Sequence, residues 1–136
     1  MKKYLNIAEG YAVAAMVGGV FYREFTKWNG YEGVTMLGKV HAHLFMLGMI
    51  VYLLVALFSR SLNLEGQKSF RSFNVVYNIG LPLTVIMMLV RGITEVKGMA
   101  LSNAASAAIS GIAGIGHILV AVGLLFLLHA LKKAAE

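Results

Sequence analysis

Four apolar runs, at residues 4–22, 38–58, 74–90 and 107–131, are each close to the length that crosses a bilayer. A hydrocarbon core takes ~20 helical residues to span. No water reaches the backbone there, so each N–H and C=O must find its partner within the segment, which a helix achieves alone. The constraint predicts an all-α fold, an integral membrane four-helix bundle forming one domain over residues 1–136. Charged residues make up only 13% of the chain, against about 25% in soluble domains. Met1-Lys2-Lys3 before an apolar run resembles the start of a secretory leader. Glu9 interrupts that run early, however, and apolar character continues to Tyr22, so it reads as a first span.

Within the runs, small residues mark where helices can approach. Gly10, Ala14 and Gly18 recur every four residues and predict a close-packing face on the first span. The fourth span opens with Ala107, Ala108, Ser110, Gly111, Ala113, Gly114 and Gly116. Pro82 falls inside the third, where a membrane helix tolerates it as a kink. Asn29-Gly30 and Gly33 predict turns in the connection at residues 24–35. Residues 60–73 and 92–105 read as the other two connections, the last with a short Ala/Ser-rich surface helix.

Several chemistries are excluded by residue type. The chain has no cysteine, which removes disulfides, iron–sulfur clusters and thiolate sites. It also lacks aspartate, a Gly-rich phosphate loop and any pair of intramembrane carboxylates. The net charge of +6 comes from basic residues in ones and twos beside apolar runs. That pattern suits anchoring to lipid headgroups and not a nucleic-acid surface.

What remains is histidine. Imidazole ligates haem iron and transition metals readily, and an ionisable side chain within a span is costly enough to suggest function. His41 and His43 head the second span. On a helix, residues two apart point roughly 200° away from each other, so the two rings look into different spaces. His41 shares its face with Phe45, Gly48 and Tyr52; Gly48 leaves room beside the helix and Tyr52 offers a hydroxyl. The His43 face continues with Leu47, Ile50 and Leu54. His117 lies about ten residues, or ~15 Å, into the fourth span, flanked by Ala113, Gly114 and Ala121. Arg23, Lys39 and Arg91 gather at the same membrane face as His41 and His43, where they could neutralise haem propionates. Glu9 and His129 fall at the opposite face and could pair.

His41-Ala42-His43-Leu44 with Leu47-Gly48 resembles a motif of the haem-copper oxidase and nitric oxide reductase superfamily, and of related membrane haem-copper proteins linked to nitric oxide response. In the large subunit of the oxidases, two histidines so spaced ligate two different haems from opposite faces of one helix. The resemblance implies that His41 and His43 are iron ligands here. That subunit is built as three four-helix arcs about a pseudo-threefold axis, with the His-x-His helix second in its arc, as in this chain. The resemblance therefore implies one third of a twelve-helix ring, a homotrimer with haem shared between His41 of one copy and His43 of the next. The copper site of those enzymes needs a His-His pair and a His joined to Tyr. His117 and His129 stand singly, so a catalytic oxygen-reducing centre is not expected.

The sequence thus predicts a membrane protein that binds haem b non-covalently, for electron transfer or for binding or sensing a diatomic gas. The sites are His41, His43, His117, Arg23, Lys39, Arg91, Gly48 and Tyr52. A haem held within one protomer, between His41 or His43 and His117, is the alternative to the shared site. The rival class is a small transporter or channel subunit for metal ions or protons, lined by His and Glu. A third is a membrane partner whose histidines only pack. Seven Lys and Arg (Lys2, Lys3, Arg60, Lys68, Arg71, Lys132, Lys133) lie on one side of the four spans and five (Arg23, Lys27, Lys39, Arg91, Lys97) on the other. The positive-inside rule then puts both termini in the cytoplasm. A C-terminal fusion to a reporter active only in the cytoplasm should be functional. Activity solely from an export-dependent reporter would reverse the topology.

Overall fold

The computed structural model describes residues 1–136 as four helices in up-down order: α1 (Lys2–Trp28), α2 (Leu37–Ser61), α3 (Lys68–Val96) and α4 (Asn103–Ala134). Each is long and apolar enough to cross a membrane. All four overrun the apolar runs that announced them. α3, for example, begins at Lys68 and ends at Val96, whereas its apolar run covers residues 74–90. Hydropathy registers only the hydrocarbon depth, while intrahelical bonding carries on through the headgroup layer until a residue stops it.

For α1 and α3 the stops are glycines with φ > 0, Gly30 (φ 58) and Gly98 (φ 61), whereas α2 stops where Leu62 turns extended (φ −120, ψ 142). At the end of α1 the Tyr31 N–H donates to the Thr26 carbonyl at 2.9 Å, and the Gly30 N–H donates to that of Lys27 at 3.1 Å. Met99 to Thr94 (3.0 Å) and Gly98 to Glu95 (3.1 Å) repeat the pattern after α3. These are Schellman ends, which need a left-handed residue and so favour glycine. α4 starts at the Ser102 hydroxyl, which accepts the Ala105 N–H at 3.1 Å as a side-chain N-cap. The third connection is correspondingly short, residues 97–102, and the Ala/Ser segment is the first turns of α4 itself. Pro82 sits within α3 without ending it.

Lipid is as apolar as leucine, so helices in a membrane associate by close packing and not by escape from water. α3 and α4 show this most directly. A Cβ on Gly80 would lie 2.7 Å from Leu119 Cβ and 2.8 Å from the Val120 nitrogen; one on Gly116 would meet Thr84, and one on Gly123 would meet Tyr77. On α1 the buried positions are Tyr4, Ala8 and Ala15. The expected Gly10–Ala14–Gly18 face is therefore corrected. Gly18 does receive Val40, but nothing lies within 4 Å of a Cβ at Gly10, and Ala14 faces outward. Four-residue spacing leads 3.6-residue periodicity by about 40° per step, and the face drifts off the contact.

The centre of the bundle is aromatic. Tyr4, Phe70, Phe73, Tyr77, Tyr52 and Tyr11 form a chain of ring contacts with centroids 5.0–6.3 Å apart. The Tyr4 hydroxyl donates to Glu65 at 2.7 Å, fastening α1 to the connection before α3. α2 and α4, which run parallel, leave an open apolar groove of about 380 Å3 between their later halves, lined by Val51, Leu54 and Phe58 from one and Leu124, Leu127 and Leu131 from the other.

α2 is not uniform. Leu44–Ile50 is a π-helical segment between two α-helical pieces. Gly48 within it is buried against Tyr11, whose ring occupies the space a Cβ would take. The Tyr77 hydroxyl donates to the Leu47 carbonyl at 2.7 Å.

Replacing Gly116 with Leu should force α3 from α4 and lower stability by about 1–3 kcal/mol, the usual cost of overpacking. Gly10→Leu should leave stability within about 0.5 kcal/mol. Thermal unfolding in detergent distinguishes the two.

Candidate functional site

His41 and His43 diverge in the structure as the helical angle between them requires. His41 turns toward α1, its Cβ and Cγ each 3.8 Å from where a Cβ on Gly19 would lie. Its Nδ1 is buried with no hydrogen-bond partner. His43 turns the other way and meets His117 of α4, with ring centroids 6.2 Å apart and ring planes at 87°.

The two paired rings are held alike. His43 Nδ1 lies 3.0 Å from the Lys39 carbonyl, and His117 Nδ1 lies 2.8 Å from the Ala113 carbonyl. A carbonyl can only accept, so each neutral ring carries its proton on Nδ1 and leaves the Nε2 lone pair free. Fixing one ring nitrogen by a hydrogen bond is how a ligating histidine has its tautomer and orientation set. Both carbonyls come from one turn earlier on the same helix, so each ring is steadied by its own helix and needs no second element.

Beside His117 is a cavity of about 330 Å3, bordered also by Met36, Met88, Arg91, Ser110, Ala113 and Gly114. Arg91 reaches from α3 across to the start of α4. Its Nη1 donates to Ser106 Oγ at 3.2 Å, and its Nη2 donates to the Ser106 carbonyl at 3.0 Å and to Ser110 Oγ at 2.7 Å. No carboxylate pairs with it, since the one ion pair of the chain is Arg23 with Glu24 at 3.8 Å. The guanidinium therefore keeps a full positive charge at the cavity edge.

The other expected residues lie elsewhere. Arg23 is on α1 beside Glu24, and Lys39 is exposed, bearing on the site through its carbonyl alone. Gly48 leaves no room for a ligand because Tyr11 fills it. Tyr52 is fully buried among Tyr11, Phe73 and Tyr77, with its hydroxyl unpartnered. Glu9 and His129 are both exposed and form no pair. No three of His, Cys, Asp and Glu come together anywhere in the chain. Ser106 carries no mark in the sequence reading, and Ser110 reads there only as a small residue for close packing. Their spacing of one turn, with His117 two turns beyond Ser110, is the signal that would have found them.

Residues 1–134 match a family described as a protein of unknown function, DUF2871. The chain belongs to the DUF2871 family. No curated protein and no solved structure matches it. The match takes in both histidines of the pair, Arg91 and the two serines that hold it.

In this DUF2871 chain the end of α3 sets the start of α2. The Glu95 carboxylate accepts the Met36 N–H at 2.8 Å, and the Thr35 hydroxyl donates to the Gly92 carbonyl at 3.2 Å. An anionic acceptor at a helix N-terminus satisfies an orphan donor and complements the helix dipole. Met36 is also a wall of the cavity. Glu95→Ala should cost about 1 kcal/mol, read as a lower melting temperature in detergent, while the exposed Glu32→Ala should leave it unchanged.

Proposed function

We propose that the chain is a membrane b-type haem protein whose haem would be held by His43 of the second span and His117 of the fourth, and that it serves electron transfer. The observation that carries the reading is the facing pair of imidazoles, each with Nδ1 engaged and Nε2 free. Two rings on opposite sides of one metal have centres roughly 6 Å apart, from metal–nitrogen bonds of ~2.0–2.1 Å and about 1 Å from each nitrogen to its ring centre. The separation here is 6.2 Å.

The donor set argues the same way. A structural zinc site asks for four protein ligands, and this chain assembles no group of three. Two imidazoles and nothing more suit a metal whose other positions are filled by a macrocycle. There is no c-type attachment sequence, as there is no cysteine, so the haem would be held by ligation and packing alone. Bound haem would supply a one-electron iron couple.

The chain's own residues do the remaining work. His43 and His117 would ligate the iron through Nε2, with their basicity supported by the carbonyls of Lys39 and Ala113. Arg91 has five N–H donors and its charge is uncompensated, so it is the residue suited to an acidic side group at the outer end. Met36, Met88, Ala113 and Gly114 give an apolar wall on the His117 side. Haem held by two imidazoles would have no position open to a gas, which favours electron transfer over gas binding. His41 faces its own α1, so a His41–His43 pairing across copies is disfavoured, and a ring of three is not needed to bring two ligands together.

Protein purified in detergent from haem-replete cells should be red, with the Soret and α/β bands of a six-coordinate, low-spin haem. His43→Ala and His117→Ala should each abolish that spectrum. His41→Ala and His129→Ala should retain it. A colourless preparation that haemin fails to reconstitute would sink the reading.

A further inference from the structure

An ionisable side chain that faces lipid from inside a span is costly, and such groups are as a rule paired or turned inward. The four apolar runs hold five carboxylate or imidazole side chains: Glu9, His41, His43, His117 and His129. Glu9 and His129 lie toward the end of the bundle that carries both chain termini, an acid and a base. Both are exposed, and neither is paired within the chain. Glu9 is the more exacting case. Lys3 and Arg23 bracket a stretch of α1 about 30 Å long at helical rise, which is the thickness of a hydrocarbon core. Glu9 stands six residues past Lys3, about 9 Å inside that stretch.

Both groups look away from the molecule. Glu9 leaves α1 roughly 120° around the helix from the buried stripe of Tyr4, Ala8 and Ala15. His129 leaves α4 roughly 140° from its stripe of Gly116, Val120, Gly123, Leu127 and Ala130. These two helices are also the outer ones. Grooves lie between α1 and α3 and between α2 and α4, which leaves α2 and α3 in the middle. α1 and α4 accordingly bury the smallest shares of their spans, 17% and 22% against 28% and 44% for α2 and α3. The acid and the base therefore point out from opposite flanks of one chain.

A second copy supplies to each what its own chain does not. Copies that share an orientation in the membrane present α1 and α4 to each other antiparallel. Tyr11 lies against Gly48 and His41 against Gly19, which puts Glu9 level with about Ile50 of α2. The His43–His117 contact and the groove below it carry that level across to about Leu124 of α4, between one and two turns deeper than His129. Side chains lean toward the N-terminus of their own helix. Glu9 thus leans toward the level of His129, and His129 toward that of Glu9. Gly10 beside Glu9, and Gly111 and Gly114 on the outer face of α4, have nothing within 4 Å of where a Cβ would lie, so both faces admit a close neighbour.

We propose that α1 of one copy packs against α4 of the next, with the Glu9 carboxylate bonded to the His129 ring across the contact. The two sides of the contact differ, so it repeats head to tail, as in a ring and not in a two-fold dimer. It stands apart from the His43–His117 pair and from whatever that pair holds.

The chain has no cysteine, so neighbours can be bridged selectively in membranes containing the full-length protein. Glu9→Cys and His129→Cys are made singly and together and treated with a short bifunctional methanethiosulfonate reagent. The double variant should give a ladder of covalent multimers on a non-reducing gel. The two single variants, differently tagged and made in one cell, should give a mixed dimer, and either alone should stay unbridged. A dimer from one single variant alone, no multimer from the double variant, or a bridge only to another protein overturns the proposal. A second measurement uses the native side chains. Glu9→Gln and His129→Ala should each raise the concentration at which multimers dissociate in detergent about tenfold, the scale of one intramembrane polar contact. The swap of Glu9→His with His129→Glu should restore it, which a merely structural loss would not do; no recovery rejects the pairing. Haem is read in the same samples. Multimers from protein that takes up no haem leave the contact standing and remove the haem reading alone, and haem-loaded protein that stays monomeric does the reverse.

Discussion

The close contact of α3 with α4 is the interaction on which the rest depends. Three positions without a side chain, Gly80, Gly116 and Gly123, let backbone lie against backbone or ring. In lipid this is where binding energy between helices comes from. The contact fixes α4 against α3 at the depth of Thr84 and Tyr77, and His117 is the residue next to Gly116. Its ring therefore leaves α4 from a point that cannot slide. On the other side, Thr35 and Met36 dock onto Gly92 and Glu95 near the end of α3. One helix thus positions both members of the histidine pair, α4 through its glycines and α2 through its capped N-terminus.

The sequence disclosed the four helices because burial in hydrocarbon imposes a length and a composition that few residues can disguise. It disclosed the divergence of His41 and His43 because 100° per residue is a property of the backbone and not of the surroundings. It did not disclose the helix ends, which are fixed at Gly30 and Gly98 by hydrogen bonds outside the apolar band. Gly48 was read as leaving room for a ligand, but Tyr11 of another helix fills that room, and no periodicity within α2 could supply this. Nor could the choice of partner for His43 be read. The π segment of α2 could not be read either, since its residues, Leu-Phe-Met-Leu-Gly-Met-Ile, have nothing in their own propensities to widen a turn. Its Leu47 carbonyl accepts the hydroxyl of Tyr77, which lies 30 residues on.

The two histidine environments also separate by chemistry. His43 and His117 meet their own-helix carbonyls and present one nitrogen each. His41 buries an unpartnered Nδ1 against α1, an arrangement that costs about 1–3 kcal/mol if no water reaches it. A motif that treats the first and second histidines as equivalent would miss this difference, which comes from the neighbours of α2 and not from α2 itself.

The column of rings from Tyr4 to Tyr11 has a consequence for traffic. It packs one half of the bundle with side chains, and the recesses open on the flanks, one between the later halves of α2 and α4 and one beside His117 between α3 and α4. Whatever meets His117 through the recess beside it approaches from the flank of the bundle, past Arg91 and Ser110, and not along the bundle axis.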